Sequence, residues 1–318
     1  MSSADAPPPK RQRTEDVSVT RSDIWYPDGS VILQAQDTQF RVHWSLLAQS
    51  SSFFRDMQAL PQPPDQPSVE GCPVIELHDA VADVKNLLVV LYTPMFPSEQ
   101  TTEFDIVSAL VRLGRKYEFR KLLDWAVGIV MSAIPTRLPD YLSMQFPGKN
   151  LIDYNGIELE ILTLARENDI LSALPCAYYF VASSYPQKDL FQGVSKDGGD
   201  QRLSLASIDL QRCILGRQAL LSTQNKPGYT FGWLPSWVPS PKCNNPADCK
   251  IRRDAEICHR WTKSDVVRGF DYATPSRPFC PACTQQTSAL IEAGKRKLWE
   301  DLPSFFDLPP WDELKNNP

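Results

Sequence analysis

Residues 30–57 read SVILQAQDTQFRVHWSLLAQSSSFFRDM, and this stretch decides the fold. Two short apolar runs flank a polar turn expected at Asp37-Thr38. Phe40 and Val42 alternate with Gln39 and Arg41, the period of two of a strand with one buried face. After Val42 the pattern becomes helical. Leu46 and Leu47 begin an apolar stripe, and the Ser50–Ser52 run reads as a helix end or as the cap of a following helix headed by Phe53 and Phe54.

His43 sits where strand gives way to helix, one of three histidines in the chain. Hydrolytic chemistry would need a nucleophile on a strained turn, a base and an orienting acid. The chain has no G-x-S-x-G, no H-E-x-x-H, no glycine-rich phosphate loop and no kinase signature. Neither His78 nor His259 brings a supporting motif. A lone histidine at such a junction reads as a structural residue bonded to nearby backbone. The expectation is a chain without catalytic residues.

Outward from this stretch the order stays α+β. Residues 60–73 carry five prolines and read as a loop, and PVIEL (73–77) reads as a further strand. Val84, Leu87, Leu88 and Leu91 then fall at i, i+3, i+4 and i+7, one face of a helix. Ile106, Ala109, Leu110 and Leu113 repeat that spacing, as do Leu122, Trp125, Ala126 and Ile129. A small sheet covered by helices follows. Residues 157–182 predict two helices around Pro175, 203–224 a longer one, and 287–302 another, with a polar loop between residues 184 and 201. The tail PSFFDLPPWDEL is apolar enough to fold back onto the body.

The 318 residues, 42% hydrophobic, suffice for one large or two ordinary domains. A net charge of -5 argues against wholesale nucleic-acid binding. No apolar run approaches the roughly 18–20 residues of a membrane span. The beginning, MSSADAPPPKRQRTED, lacks the apolar middle of a secretory signal. A soluble intracellular protein is expected, its cysteines reduced or metal-bound. Residues 1–20 are expected to be a disordered, basic, proline-rich tail. Lys10, Arg11 and Arg13 within it form a nuclear-import candidate, with a solubilising tail as the alternative.

Residues 22–57 resemble the opening of a BTB/POZ domain: an Asp before an apolar strand, a strand ending in Phe-x-Val-His, then a helix with Leu-Leu, Ser and Phe. Asp23, Phe40, Val42, His43, Leu46, Leu47, Ser50 and Phe53 match these positions. VIELHDAVADVKNLLVVLYT is similar to the next strand and helix, ending in Leu91, Tyr92 and Thr93. FDIVSALVRLGRKYEF resembles the segment that follows, with Lys116 and Tyr117, although Gly114 stands where the family usually has alanine. The likeness spans about residues 22–132. The whole chain resembles fungal proteins that join one BTB domain to a helical, cysteine-containing region.

That resemblance implies a protein-binding module. It implies homodimers formed through the first helix and adjoining strands, and in many members docking to a cullin scaffold that presents substrates for ubiquitin transfer. It implies that Asp23 and His43 are structural and hold the strands to the first helix. The family's cullin contact often uses a hydrophobic-x-Glu element. MFPSEQ (95–100) holds Glu99, but Pro97 precedes it, and a plain surface loop reads the same residues.

Five of the eight cysteines fall in 243–283: Cys243-x5-Cys249, Cys258-His259 and Cys280-x2-Cys283. A Cys-x-x-Cys knuckle aims two thiolates at one tetrahedral metal, and Cys243 with Cys249 offers a second pair. A structural zinc held by Cys243, Cys249, Cys280 and Cys283 would offset the poor core of a stretch with five prolines between 227 and 246. Unligated thiols and a redox-active Cys-x-x-Cys remain the alternatives. No other cofactor is called for. Seven Lys/Arg against four Asp/Glu in 242–268 give that region a net +3, read as a solvated face before a nucleic-acid contact.

The expected organisation is a tail (1–20), a BTB/POZ domain (21–135), a helical region (136–225) and a Cys/Trp/Pro-rich region (226–318). The expected partner is protein: a second copy, a recruited protein, or a cullin scaffold for which this chain is the substrate adaptor. Membrane and nucleic acid are not expected partners. The alternative is a nuclear transcriptional regulator with a contacting cysteine-rich region.

Overall fold

The computed structural model describes residues 19–61, 65–93, 101–144, 146–260 and 279–316, the side chains of 257–260 excepted. The chain divides into two compact units, Met1–Met95 with Leu113–Lys121, and Phe96–Arg112 with Leu122–Pro318.

The first unit holds β1 (Thr20–Trp25), β2 (Val31–Ala35), β3 (Thr38–Val42), α1 (Trp44–Ser50), α2 (Ser52–Ala59), β4 (Ser68–Val69), β5 (Cys72–Leu77) and α3 (Val81–Tyr92). Its sheet runs β1-β3-β2-β5-β4. β2 pairs antiparallel with β3 and parallel with β5, and β1 pairs parallel with β3, so the sheet is mixed. β2 lies at the centre, and its Val31, Ile32, Leu33 and Ala35 are almost fully buried. A continuous apolar run is what a strand covered on both faces requires.

The turn between β2 and β3 is Gln36-Asp37, one residue earlier than expected, because Thr38 pairs with Ala35 and so belongs to the ladder. Gln36 takes φ +51°, the positive φ that a two-residue hairpin needs. β1 and β4 were not expected. TRSDIW carries the polar pattern of an edge strand, and Arg21 and Arg41 reach out to the two carboxylate oxygens of Glu70 at 2.6 and 2.9 Å. Glu70 and Gly71, both at positive φ, turn β4 into β5. Gly29 is required by close approach: a Cβ there would meet Arg41 Cγ at 2.8 Å and Tyr26 O at 3.0 Å.

The serine run divides the two helices as expected. Ser51 is the N-cap of α2, and its hydroxyl accepts from the Phe54 N–H at 3.0 Å. Trp44, Leu47 and Phe54 are buried in this unit. α4 (Phe104–Lys116) and α5 (Arg120–Ala133) follow in the chain. Tyr117 and Phe119, just past α4, pack their rings against Phe54 at 5.4 and 5.8 Å.

The second unit is mostly helical: α6 (Leu138–Ser143), α7 (Ile157–Glu167), α8 (Leu174–Ser184), α9 (Gln187–Gln192), the hairpin β6 (Val194–Ser195) and β7 (Arg202–Leu203), α10 (Ser207–Thr223), α11 (Pro246–Arg260), α12 (Pro281–Glu300) and α13 (Leu302–Phe305). Pro175 lies in the first turn of α8, where its missing N–H costs nothing. α9 and the β6–β7 hairpin stand where a polar loop was expected. α12 begins at Pro281, six residues before the expected start, because proline at the first helical position has its φ already set for a helix and gives up no needed N–H.

The core of this unit is built around α8, buried on nearly every side. Asp209, fully buried, is held by Arg166 Nε at 2.5 Å and by the Tyr178 hydroxyl at 2.6 Å. The tail folds back as expected. Phe306 stacks on Tyr178 at 5.4 Å and Leu314 is buried, and the Asn316 side chain accepts from the Ser172 N–H at 2.9 Å. Among the described residues no helix is long and apolar enough to cross a membrane.

Candidate functional site

Two constellations stood out in the sequence, His43 and the cysteines. His43 is the N-cap residue of α1, but its side chain does not cap the helix. Its backbone N–H donates to the Tyr92 hydroxyl at 2.8 Å, and its Nδ1 lies 2.8 Å from the same oxygen. Burial raises the Tyr92 phenol above its ordinary pKa, so it stays protonated. Tyr92 accepts from the backbone N–H. Asp28 Oδ2, 3.2 Å from Nε2, can only accept, so Nε2 carries a proton, and in the neutral ring Nδ1 accepts from the Tyr92 hydroxyl. The His43 hydrogen bond holds the Asp28 carboxyl below the usual carboxylate range. Tyr26 stacks on Tyr92 at 4.4 Å and closes the group.

The ring thus joins the end of α3 to the Tyr26–Gly29 turn. Its partners are a phenol and an exposed carboxylate, neither of them an activated nucleophile. Asp23 pairs with Lys85 of α3 at 2.8 Å, and this bond lowers its carboxyl pKa. Both residues therefore reach α3, whereas the resemblance implied the first helix. The reason is placement: α3 carries Lys85 and Tyr92, while α1 is filled by its own buried Trp44 and Leu47.

The other matched positions fall into place beside this. Phe40 and Val42 are core residues of β3, Leu47 is buried, Leu46 and Ser50 are half-buried on α1, and Phe53 packs on Tyr117 at 5.2 Å. Lys116 Nζ and the Tyr117 hydroxyl bind the two oxygens of Asp79 at 2.7 and 2.5 Å. The Ser51 hydroxyl donates to the Tyr117 carbonyl at 2.5 Å. Asp28 and Asp79 were missed in the sequence; YPDG at 26–29 marks a turn, but nothing local tells which ring that turn meets.

The cysteines do converge. The thiol sulfurs of Cys243, Cys249, Cys280 and Cys283 all lie within 4.8 Å of one another. Cys243 Sγ and Cys280 Sγ are 3.6 Å apart. A tetrahedron with metal–sulfur bonds of about 2.3 Å has sulfur–sulfur edges of about 3.8 Å, whereas a disulfide needs about 2.05 Å. The group could hold a metal ion.

Each sulfur is aimed by its local structure. Cys243 ends a turn, its N–H donating to Ser240 O at 2.8 Å, and the Cys249 N–H donates to Asn245 O at 3.1 Å in the first turn of α11. Cys280 and Cys283 occupy the N-cap and third position of α12. The Ser240 N–H donates to Cys283 Sγ at 3.3 Å, and the Cys280 N–H to Cys249 Sγ at 3.4 Å. The Cys283 N–H holds the Cys280 thiol well below its ordinary value, at about 6, while burial pushes Cys283 up to about 12 and raises Cys249. Four thiols this close cannot all ionise without a cation among them.

Phe231, Trp233, Leu234, Trp237, Phe279 and Ile291 form an apolar cluster with Cys249 and Cys283. Among the described basic residues nearby, Arg252 binds Glu256 at 2.5 Å and Arg253 binds Asp254 at 2.7 Å. Lys10, Arg11, Arg13, Glu99 and the side chains of Cys258 and His259 lie outside the described residues.

The mixed sheet with its covering helices, and the Asp79 clamp that uses Lys116 and Tyr117, define a small α+β domain. Residues 29–127 match the family model of the BTB/POZ domain, so this chain carries a BTB/POZ domain, a protein-interaction domain. No curated protein matches the chain.

Proposed function

We propose that this protein is a non-enzymatic interaction module whose BTB domain recruits a protein partner, in its sharpest form as a substrate adaptor for a cullin-type ubiquitin ligase. The observation that carries this is the BTB match over 29–127, laid on a domain whose one conspicuous imidazole is engaged by Tyr92 and Asp28. Self-association through the first helix and adjoining strands can use only the part of the helix's apolar stripe that is not buried in the domain itself. Trp44 and Leu47 are buried, and Ser45 and Gln49 face outward. Recruitment of a different protein is therefore favoured over a dimer built on that helix.

The four thiols are the proposed ligands of one structural zinc. The soft, closed donor set suits Zn2+, and the sulfur spacing suits a tetrahedron. Bound zinc would neutralise the thiolates and pin α11 and α12 to the turn carrying Cys243. The cluster Lys10, Arg11 and Arg13 supports a nuclear location; a fluorescent fusion that stays nuclear when all three become alanine would remove that support.

The experiment is affinity purification of the full chain with light scattering on the product. Enrichment of a cullin at monomeric or dimeric mass supports the adaptor reading. Retention on specific DNA at physiological salt, without any protein partner, would replace it with the transcriptional-regulator reading.

A further inference from the structure

Resting on the zinc reading above, we propose that the four-thiol centre is a site of reversible oxidation, at which hydrogen peroxide joins Cys243 to Cys280 and releases the metal. The four cysteines are not equivalent. Cys249 is 2% exposed and Cys283 0%, sealed by Trp237, Phe279 and their neighbours. Cys243 and Cys280 are only partly buried at the border of that cluster. The two sulfurs an oxidant can reach are also 3.6 Å apart, in different segments of the chain. Closing them to a disulfide takes a movement of about 1.5 Å. The Cys-x-x-Cys alternative, Cys280 with Cys283, would need the fully buried sulfur to turn out of its apolar cluster.

The chemistry balances with peroxide as the only co-reactant. One outer thiolate attacks a peroxide oxygen; the O–O bond breaks, a sulfenic acid forms and hydroxide leaves. The second outer thiolate attacks that sulfur, the S–S bond forms and a second hydroxide leaves. The sulfurs lose two electrons and the peroxide gains them. Zinc departs as the aquo ion, and Cys249 and Cys283 each take up a proton. The disulfide keeps the Cys243 turn tied to α12, but Cys249 loses its link, so the oxidised form releases α11. Oxidation thereby has a defined structural output.

The test uses the full chain. Zinc is first quantified by mass spectrometry in protein purified under reducing conditions, and one equivalent is expected. Peroxide is then titrated against a chromogenic zinc chelator, with non-reducing peptide mapping and deuterium uptake on the same samples. The expected result is one zinc released per Cys243–Cys280 disulfide, faster uptake over 246–256, and recovery of both with dithiothreitol plus zinc. A Cys280–Cys283 linkage, irreversible oxidation of Cys280, or metal retained under peroxide that oxidises free glutathione would overturn the oxidation proposal and leave the zinc reading standing. Protein that holds no zinc in metal-replete buffer sinks both.

Discussion

The BTB sheet and the cysteine-rich segment are two solutions to one problem, how to fix a chain in place. In the first, β2 is nearly sealed from solvent and Phe40, Leu47 and Phe54 fill the space around it. Burial does the work there, and polar bonds such as those of His43 set register. In the second, residues 226–245 are turns with little regular structure, and a modest aromatic cluster surrounds four sulfurs. On the proposed zinc reading, direct ligation supplies what burial does not. Where a chain can alternate or repeat apolar residues it builds a core; where prolines forbid that, it turns to point attachments.

The largest expected effect tests the second half of that contrast. Chelation of the full chain should remove a metal whose binding is worth on the order of 10 kcal/mol in small zinc domains. Deuterium uptake should rise across 231–256 and 279–291 while β2, β3 and α3 stay protected. Loss of protection in the sheet as well would mean that the two regions do not stand separately.

Phe54→Ala is the converse. Removing a ring that is 1% exposed should cost about 3–5 kcal/mol. Denaturant unfolding followed through the sheet should show this, with zinc content unchanged. His43→Ala should cost about 1 kcal/mol, the net value of a side-chain hydrogen bond, because Tyr92 keeps the backbone N–H as donor. A much larger loss would give the imidazole a role beyond fastening.

The smallest effect is in pH. Asp23 and Asp28 both have folded-state pKa values lowered from 3.8, so their contribution is present above pH 3.8 and is lost as pH falls through the lowered values. Both are exposed, so that contribution is small, and Asp23→Asn should lower neutral-pH stability only slightly while removing that part of the acid dependence. Zinc ligation instead competes with protons for the thiolates, so affinity falls continuously as acid is added. In a titration from pH 7 downward, zinc should leave before the sheet responds. Sheet unfolding ahead of metal release would invert the comparison.

The legibility of the two regions differs for the same physical reason. The hairpin of β2 and β3 and the helices α3, α4 and α5 were readable because burial imprints a period on the sequence. β1 was not, since an edge strand presents polar residues. α11 was not, since PADCKIRRDAEICHR has only two buried described positions, Cys249 and Glu256, and no apolar stripe. The cysteines that converge were readable from their Cys-x-x-Cys and Cys-x5-Cys spacing. The pairings of Asp79 with Lys116 and of His43 with Tyr92 span 37 and 49 residues, and no local pattern records them.

Phe306 sits against α10 so closely that a Cβ on Gly216 would meet its ring at 2.4 Å, and Leu314 is buried as well. During synthesis the sheet-bearing unit has all its residues once Lys121 has left the ribosome. The helical unit must wait for residues near 314, about 10–40 s later at ordinary translation rates. α7 and α10 can pack on α8 before then, but the face of Tyr178 that Phe306 covers stays open for that interval. A chain cut short before Phe306 would keep it open for good.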